Sequence, residues 1–128
     1  MKILGIGVDI VNNKRIRSLI SNKSFINKTF GKNEIKFSKK KVNKINYFAK
    51  RFAAKESFAK SIGTGFRKGL NFRDIEILND RIGKPYFLIS KKIDKIITKK
   101  FKVKKFNLFL SISDEKEYSI AFTILQTK

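Results

Sequence analysis

Two carboxylates and a lysine stand out in this sequence because their surroundings do not suit them. Glu56 lies within the apolar stripe of the segment running from Lys44 to Gly63, where Ile45, Phe48, Ala49, Phe52, Ala59 and Gly63 recur at helical spacing. At about 100° per residue, Glu56 falls between Ala49 and Phe52, near the centre of that stripe. Asp9 interrupts a second apolar run, Ile3 to Val11. An ionised carboxylate buried without a partner costs several kcal/mol even after relaxation. The entire net stability of a domain is about 5–15 kcal/mol, so two such groups demand a compensating cation or proton. Lys60 follows Glu56 by four residues, the spacing and order at which an acid and a base meet on one helix face. Alone, that pair reads as structural. Joined by Asp9, it reads as a Mg²⁺–phosphate site, in which the metal neutralises both carboxylates and keeps open positions for phosphate oxygens and water.

The elements that must bring these groups together follow from the pattern. Ile3–Val11 is predicted as a strand, with Leu4, Ile6, Val8 and Ile10 on one face. Gly5, Gly7 and Asp9 occupy the other face, where the small residues are expected to leave open space beside the carboxylate. Asn12 or Asn13 can cap a short helix from Lys14 to Ile20. Further short helices are expected over Ser24–Phe30 and Asn33–Lys40, followed by the long helix to Ile62, stopped by Gly63-Thr64-Gly65. Asp74–Asn79 alternates as a strand, Asp80–Lys84 makes a turn, and Pro85 opens a second strand to Ile89. A lysine-rich amphipathic helix covers Lys91–Lys99, and Phe106–Ser113 with Tyr118–Leu125 form a closing hairpin. The expectation is one compact α+β domain over residues 1–128, an antiparallel sheet packed against one long helix plus short helices.

Composition narrows the chemistry. Hydrophobic residues make up 41% of the chain, including 13 Phe, so it is globular despite its charge. Cysteine is absent, which excludes disulfides and thiolate chemistry and fits a reducing compartment. Histidine is absent too, so acid–base work falls to carboxylates, Lys, Tyr or water, and a metal site must use oxygen ligands, favouring Mg²⁺ over zinc. The N-terminal apolar run is too short to span a bilayer and lacks a cleavage site, so no membrane span is expected and the expected location is cytoplasmic. The net charge is +21. Two explanations stand side by side: a polyanionic partner, or the Lys-, Asn-, Ile- and Phe-rich codon usage of an AT-rich genome placing lysines on solvated faces. A nucleic-acid-binding protein would explain the lysines but not the carboxylates, and few aromatics interleave with the basic runs, so no nucleic acid is expected.

At this point the motifs resemble a known family, the bacterial holo-[acyl-carrier-protein] synthases, the small type of 4′-phosphopantetheinyl transferase. The resemblance rests on Gly5-Ile6-Gly7-Val8-Asp9 with Arg15-Ile16, on the helix block from Arg51-Phe52-Ala53-Ala54-Lys55-Glu56 to Lys60, and on Gly63-Thr64-Gly65. Gly83-Lys84-Pro85 and Ser111-Ile112-Ser113 complete it, in the expected order along nearly the whole chain. It implies transfer of 4′-phosphopantetheine from coenzyme A to a serine hydroxyl of apo-acyl carrier protein, releasing adenosine 3′,5′-bisphosphate, in fatty acid biosynthesis. It further implies Mg²⁺ held by Asp9 and Glu56, Glu56 as base toward the serine, and Lys60 on the departing phosphate. Coenzyme A contacts would come from Lys60, Gly83, Lys84, Pro85 and Ser113. The carrier would dock on Arg15 and Arg17, and the assembly would be a homotrimer with sites at subunit interfaces. One position departs: Asp114 stands where the family usually has His after Ser-x-Ser. An anion there would repel a phosphorylated ligand, and it is the one feature in favour of an inactive family member.

Overall fold

The computed structural model describes residues 1–67 and 69–128. Strand β1 (Ile3–Asn12) leads into three short helices, α1 (Asn13–Leu19), α2 (Lys23–Thr29) and α3 (Lys32–Ser38). The long helix α4 (Lys44–Ile62) follows. A 3₁₀ turn (Phe72–Asp74) precedes the hairpin β2 (Glu76–Asn79) and β3 (Pro85–Leu88), then α5 (Lys91–Phe101), β4 (Phe106–Asp114) and β5 (Tyr118–Thr127). Asp74, expected in the strand, belongs to the 3₁₀ turn, where its carboxylate accepts the Asn71 N–H at 2.9 Å.

The sheet is divided in two. β5 lies between β1 and β4, antiparallel to both, and β2–β3 form a separate ribbon. α4 crosses the inward face of the three-stranded sheet. Its start is capped by the Asn43 side chain, which accepts the Asn46 N–H at 3.0 Å, and its end is turned by Gly63 at φ 80°, a left-handed conformation that favours glycine. The core gathers Phe48, Phe52, Phe58 and Ile62 of α4 with Ile16, Phe30, Ile77, Phe87, Ala121 and Leu125. Aromatic side chains of this size dominate core energetics through their buried area.

One expectation for the glycine face of β1 is corrected: that face is not open space. A Cβ at Gly5 would run into the Ser61 carbonyl, and one at Gly7 into the Ser57 carbonyl, so these glycines let β1 lie directly on the backbone of α4. The opposite face, carrying Ile6, Val8 and Ile10, is exposed at 60, 53 and 60%. Leu4 leaves that face because a register shift falls between Ile3 and Gly5, and it packs on the core instead.

Candidate active site

Close approach of β1 to α4 is what assembles the site. Asp9 pairs with Ala121 on β5, which puts its side chain on the inward, helix-facing side of the sheet. There Lys60 donates to Asp9 Oδ1 at 3.2 Å and to the Val8 carbonyl at 2.9 Å. The ion pair of Lys60 is therefore made with Asp9; the expected pairing with Glu56 is not formed among the described residues. A lysine reaching across to the strand gains a carboxylate and a carbonyl together, which one helix face does not offer.

Glu56 is also less enclosed than its place in the apolar stripe predicts. Both Glu56 and Asp9 are half-buried. Burial pushes the Asp9 carboxyl above its ordinary value, while Lys60 and Arg15 pull it part of the way back. Burial raises Glu56 as well, Asp9 raises it further, and Lys60 and Arg15 oppose the shift. Asp9, Glu56, Lys60 and Arg15 thus share one electrostatic neighbourhood. Two neighbouring half-buried carboxylates, one of which destabilises the other's charge, form a donor set of hard oxygens suited to a divalent cation, with the remaining positions free for water and phosphate.

The other sequence candidates lie elsewhere. Arg15 and Arg17 are exposed on α1, and the Arg15 guanidinium sits 5.7 Å from the centre of the Phe52 ring. Gly83-Lys84-Pro85 forms the tip of the β2–β3 ribbon, with Gly83 at φ 89° and the Lys84 N–H on Asp80 Oδ1 at 2.8 Å. Ser113 pairs with Ile120, which in turn faces Ile10, so Ser113 lies on the outward face of the sheet and away from Asp9 within the chain. Asp114 is exposed and receives the Asn46 side-chain amide at 2.5 Å.

Sequence reading missed the charged residues buried deepest. Glu34 and Lys55 are wholly enclosed and paired at 2.5 Å. One turn earlier on α4, Arg51 lies over the Tyr47 ring at 3.7 Å and donates to Asn79 Oδ1 at 2.5 Å. Tyr47, Arg51 and Lys55 are spaced by four, a polar stripe that the periodicity contained but that the apolar residues beside it concealed. Arg51 borders a cavity of about 300 Å³ shared with Lys40, Lys41, Asn79 and Tyr86.

A family model described as the 4′-phosphopantetheinyl transferase superfamily matches residues 5–123, and the chain belongs to that superfamily. Its relatives within it are holo-[acyl-carrier-protein] synthases. One from Pelagibacter ubique is 58% identical over 128 residues, covering all of both chains. The crystal structure of the synthase from Neisseria meningitidis superposes with a TM-score of 0.88 at 37% identity, covering 98% of this chain and 99% of that one. A Bacillus anthracis synthase in complex with coenzyme A (3′,5′-ADP) gives 0.82 at 33% identity, with both chains fully covered.

Proposed function

We propose that Asp9, Glu56 and Lys60 form the reacting centre of this transferase. The chain is an enzyme that moves 4′-phosphopantetheine from coenzyme A to apo-acyl carrier protein. The serine Oγ of the carrier attacks the phosphorus that bears pantetheine, the bond to the second phosphate breaks, and adenosine 3′,5′-bisphosphate leaves. Glu56 accepts the serine proton. Its raised pKa brings it nearer to neutrality, which suits a general base better than an ordinary carboxylate. Lys60, steadied by the Val8 carbonyl and Asp9, directs its ammonium to the departing phosphate. Asp9 and Glu56 are the residues that would hold Mg²⁺, which when bound supplies positive charge to the pyrophosphate.

The Arg51 cavity supports a phosphate-binding role for the far end of coenzyme A. Arg51 Nε is buried without a partner among the described residues, and Lys40 and Lys41 stand at the rim. Asn79 links the cavity to the Gly83-Lys84-Pro85 turn through a bond to the Gly83 carbonyl at 2.9 Å. Arg51 and Glu56 are five residues apart, about 140° around the helix, so one coenzyme A molecule reaching both would bridge two protomers. The exposed apolar outer face of the sheet, with Phe109, Ile120 and Phe122 beside the β1 residues, supports burial in a homotrimer. The carrier docks on Arg15 and Arg17 by charge complementarity with the +21 chain. Among the described residues no helix is long and apolar enough to cross a membrane. We place the reaction in the cytoplasm and in fatty acid biosynthesis.

The observation that carries this reading is the shared field of Asp9, Glu56 and Lys60 where β1 meets α4. Incubating the protein with coenzyme A, Mg²⁺ and an apo carrier, then weighing the carrier, tests it. Added phosphopantetheine is expected with Mg²⁺ and not with a chelator; an unchanged carrier mass in both overturns it. Size measurement by light scattering tests the trimer separately.

A further inference from the structure

We propose that Lys55, together with Glu34, is a positioning residue for the carrier-binding side of the site; the proposal rests on the transfer reading above. The side chain takes no part in the chemistry, being wholly buried on the far side of α4 from solvent. Its ammonium bonds Glu34 Oε1, the Phe72 carbonyl at 3.1 Å and the Ile75 carbonyl. Glu34 in turn accepts the Gly31 N–H at 2.9 Å through Oε1 and the Ile77 N–H at 3.1 Å through Oε2. One buried point therefore ties the start of α3, the middle of α4, the 3₁₀ turn and β2 together. An apolar pair of the same volume could fill the space, commonly at no loss of stability, but it could not hold those carbonyls and amides in register.

What the Phe72 backbone carries is a stack of rings leading to the proposed docking arginine. The Phe72 ring lies nearly parallel to Phe66, with centroids 3.6 Å apart, and nearly parallel to Phe52 at 5.4 Å. Arg15 rests over the other partner of this stack, Phe52. The segment after Gly63 thus returns to α4 through Phe66 and Phe72, and Lys55 fixes the level at which it does so. Residue 55 points inward while its neighbour Glu56 reaches the reacting centre, so a single helical turn sets the carrier's seat and the base that meets its serine.

The test compares steady-state kinetics of the unaltered chain with Lys55→Met and with the paired variant Glu34→Gln/Lys55→Met, which leaves no unpaired buried charge. The expected result is a rise of at least about tenfold in KM for the apo carrier, with kcat and KM for coenzyme A within about twofold. Unchanged KM for the carrier in a folded variant overturns the proposal. So does a fall in kcat in step with the melting temperature with both KM values altered alike, because that is what ordinary loss of packing gives. Where neither variant folds, Phe72→Ala leaves the pair in place and removes what it positions. The same split in KM supports the proposal, and its absence overturns it. Failure of the unaltered chain to modify the carrier at all would instead bring down the transfer reading.

Discussion

Helix α4 carries two acid–lysine arrangements that share a sequence neighbourhood and differ in every physical respect. Lys55 and Glu34 are sealed from water, and each is saturated with backbone partners. Lys60 and Asp9 meet at a longer 3.2 Å, with the lysine side chain 54% exposed and Glu56 left without a bonded partner among the described residues. Burial pushes the Glu34 carboxyl up and the Lys55 ammonium down, and the pair's own attraction offsets each shift only in part. At Asp9 and Glu56 two half-buried carboxylates stand close together, Asp9 raises Glu56 further, and Lys60 and Arg15 oppose the shifts from more open positions. The sealed pair has nothing left to bind. The open group does, and on the proposed reading its partly exposed carboxylate oxygens are where a cation would be held.

Removing the open carboxylates should have the largest effect on activity and the smallest on the fold. Asp9→Ala and Glu56→Ala are each expected to lower Mg²⁺-dependent transfer by about 10³-fold or more, the scale for losing an electrostatic element of a transition state. Their melting temperatures should stay within a few degrees of the parent. Full activity in either variant, measured by carrier mass, would remove the metal assignment. The sealed pair should behave in the opposite way. Lys55→Met leaves a buried carboxylate unpaired and should cost about 3–5 kcal/mol in denaturant unfolding. Lys60→Met, at a half-exposed pair, should cost less than about 1 kcal/mol while slowing turnover. Equal costs for the two lysines would erase the contrast.

The metal-free protein gives a finer test. Glu56→Leu replaces a half-buried charge in an apolar stripe, and should stabilise that form by about 1 kcal/mol, reduced from the fully buried case by solvent. A lower melting temperature would count against burial as the source of the Glu56 shift. The pH dependence has a definite sign. Asp9 and Glu56 hold protons more tightly when folded, so their contribution to stability is fully present below the ordinary carboxylate values and is lost as pH rises through the raised ones. Metal-free stability of the parent should fall over that interval relative to Glu56→Gln, and Mg²⁺ should reverse the trend by favouring the ionised forms. A parent and variant that track each other in urea midpoint from acid to neutral pH would deny the shift.

The two arrangements were unequally legible in the sequence. Asp9 and Glu56 were visible because each breaks a strong apolar pattern, and α4 itself is long enough for its period and its Gly63 stop to be read directly. Glu34 breaks nothing. It sits in the first turn of a seven-residue helix among polar neighbours, and only the folding of α3 against α4 and β2 buries it. Lys55 was in view within the helix motif, yet its burial depends on a partner remote in the chain. Gly5 and Gly7 were read as vacant space when their smallness admits the helix backbone. Alternation in β1 assigned all but Leu4 to the right one of two faces but could not say which face meets the core, since the outer sheet surface is as apolar as an inner one. Period gives the grouping; contact between elements gives the direction.

The smallest expected effect concerns Asp114. The family's usual histidine would add a cation at a position where this chain has an anion, but Asp114 is exposed and held by the Asn46 amide rather than directed at the carboxylate centre. Its charge is therefore screened by solvent, and the neighbouring +21 background lowers the local repulsion of a phosphorylated ligand further. Asp114→His should raise kcat/KM for coenzyme A by no more than about threefold, with the gain shrinking as salt increases. A gain of about 100-fold would mean that Asp114 faces the nucleotide directly. That would extend the site from the open group on α4 to the end of β4, where Asp114 pairs with Ser119 on the inward face of the sheet.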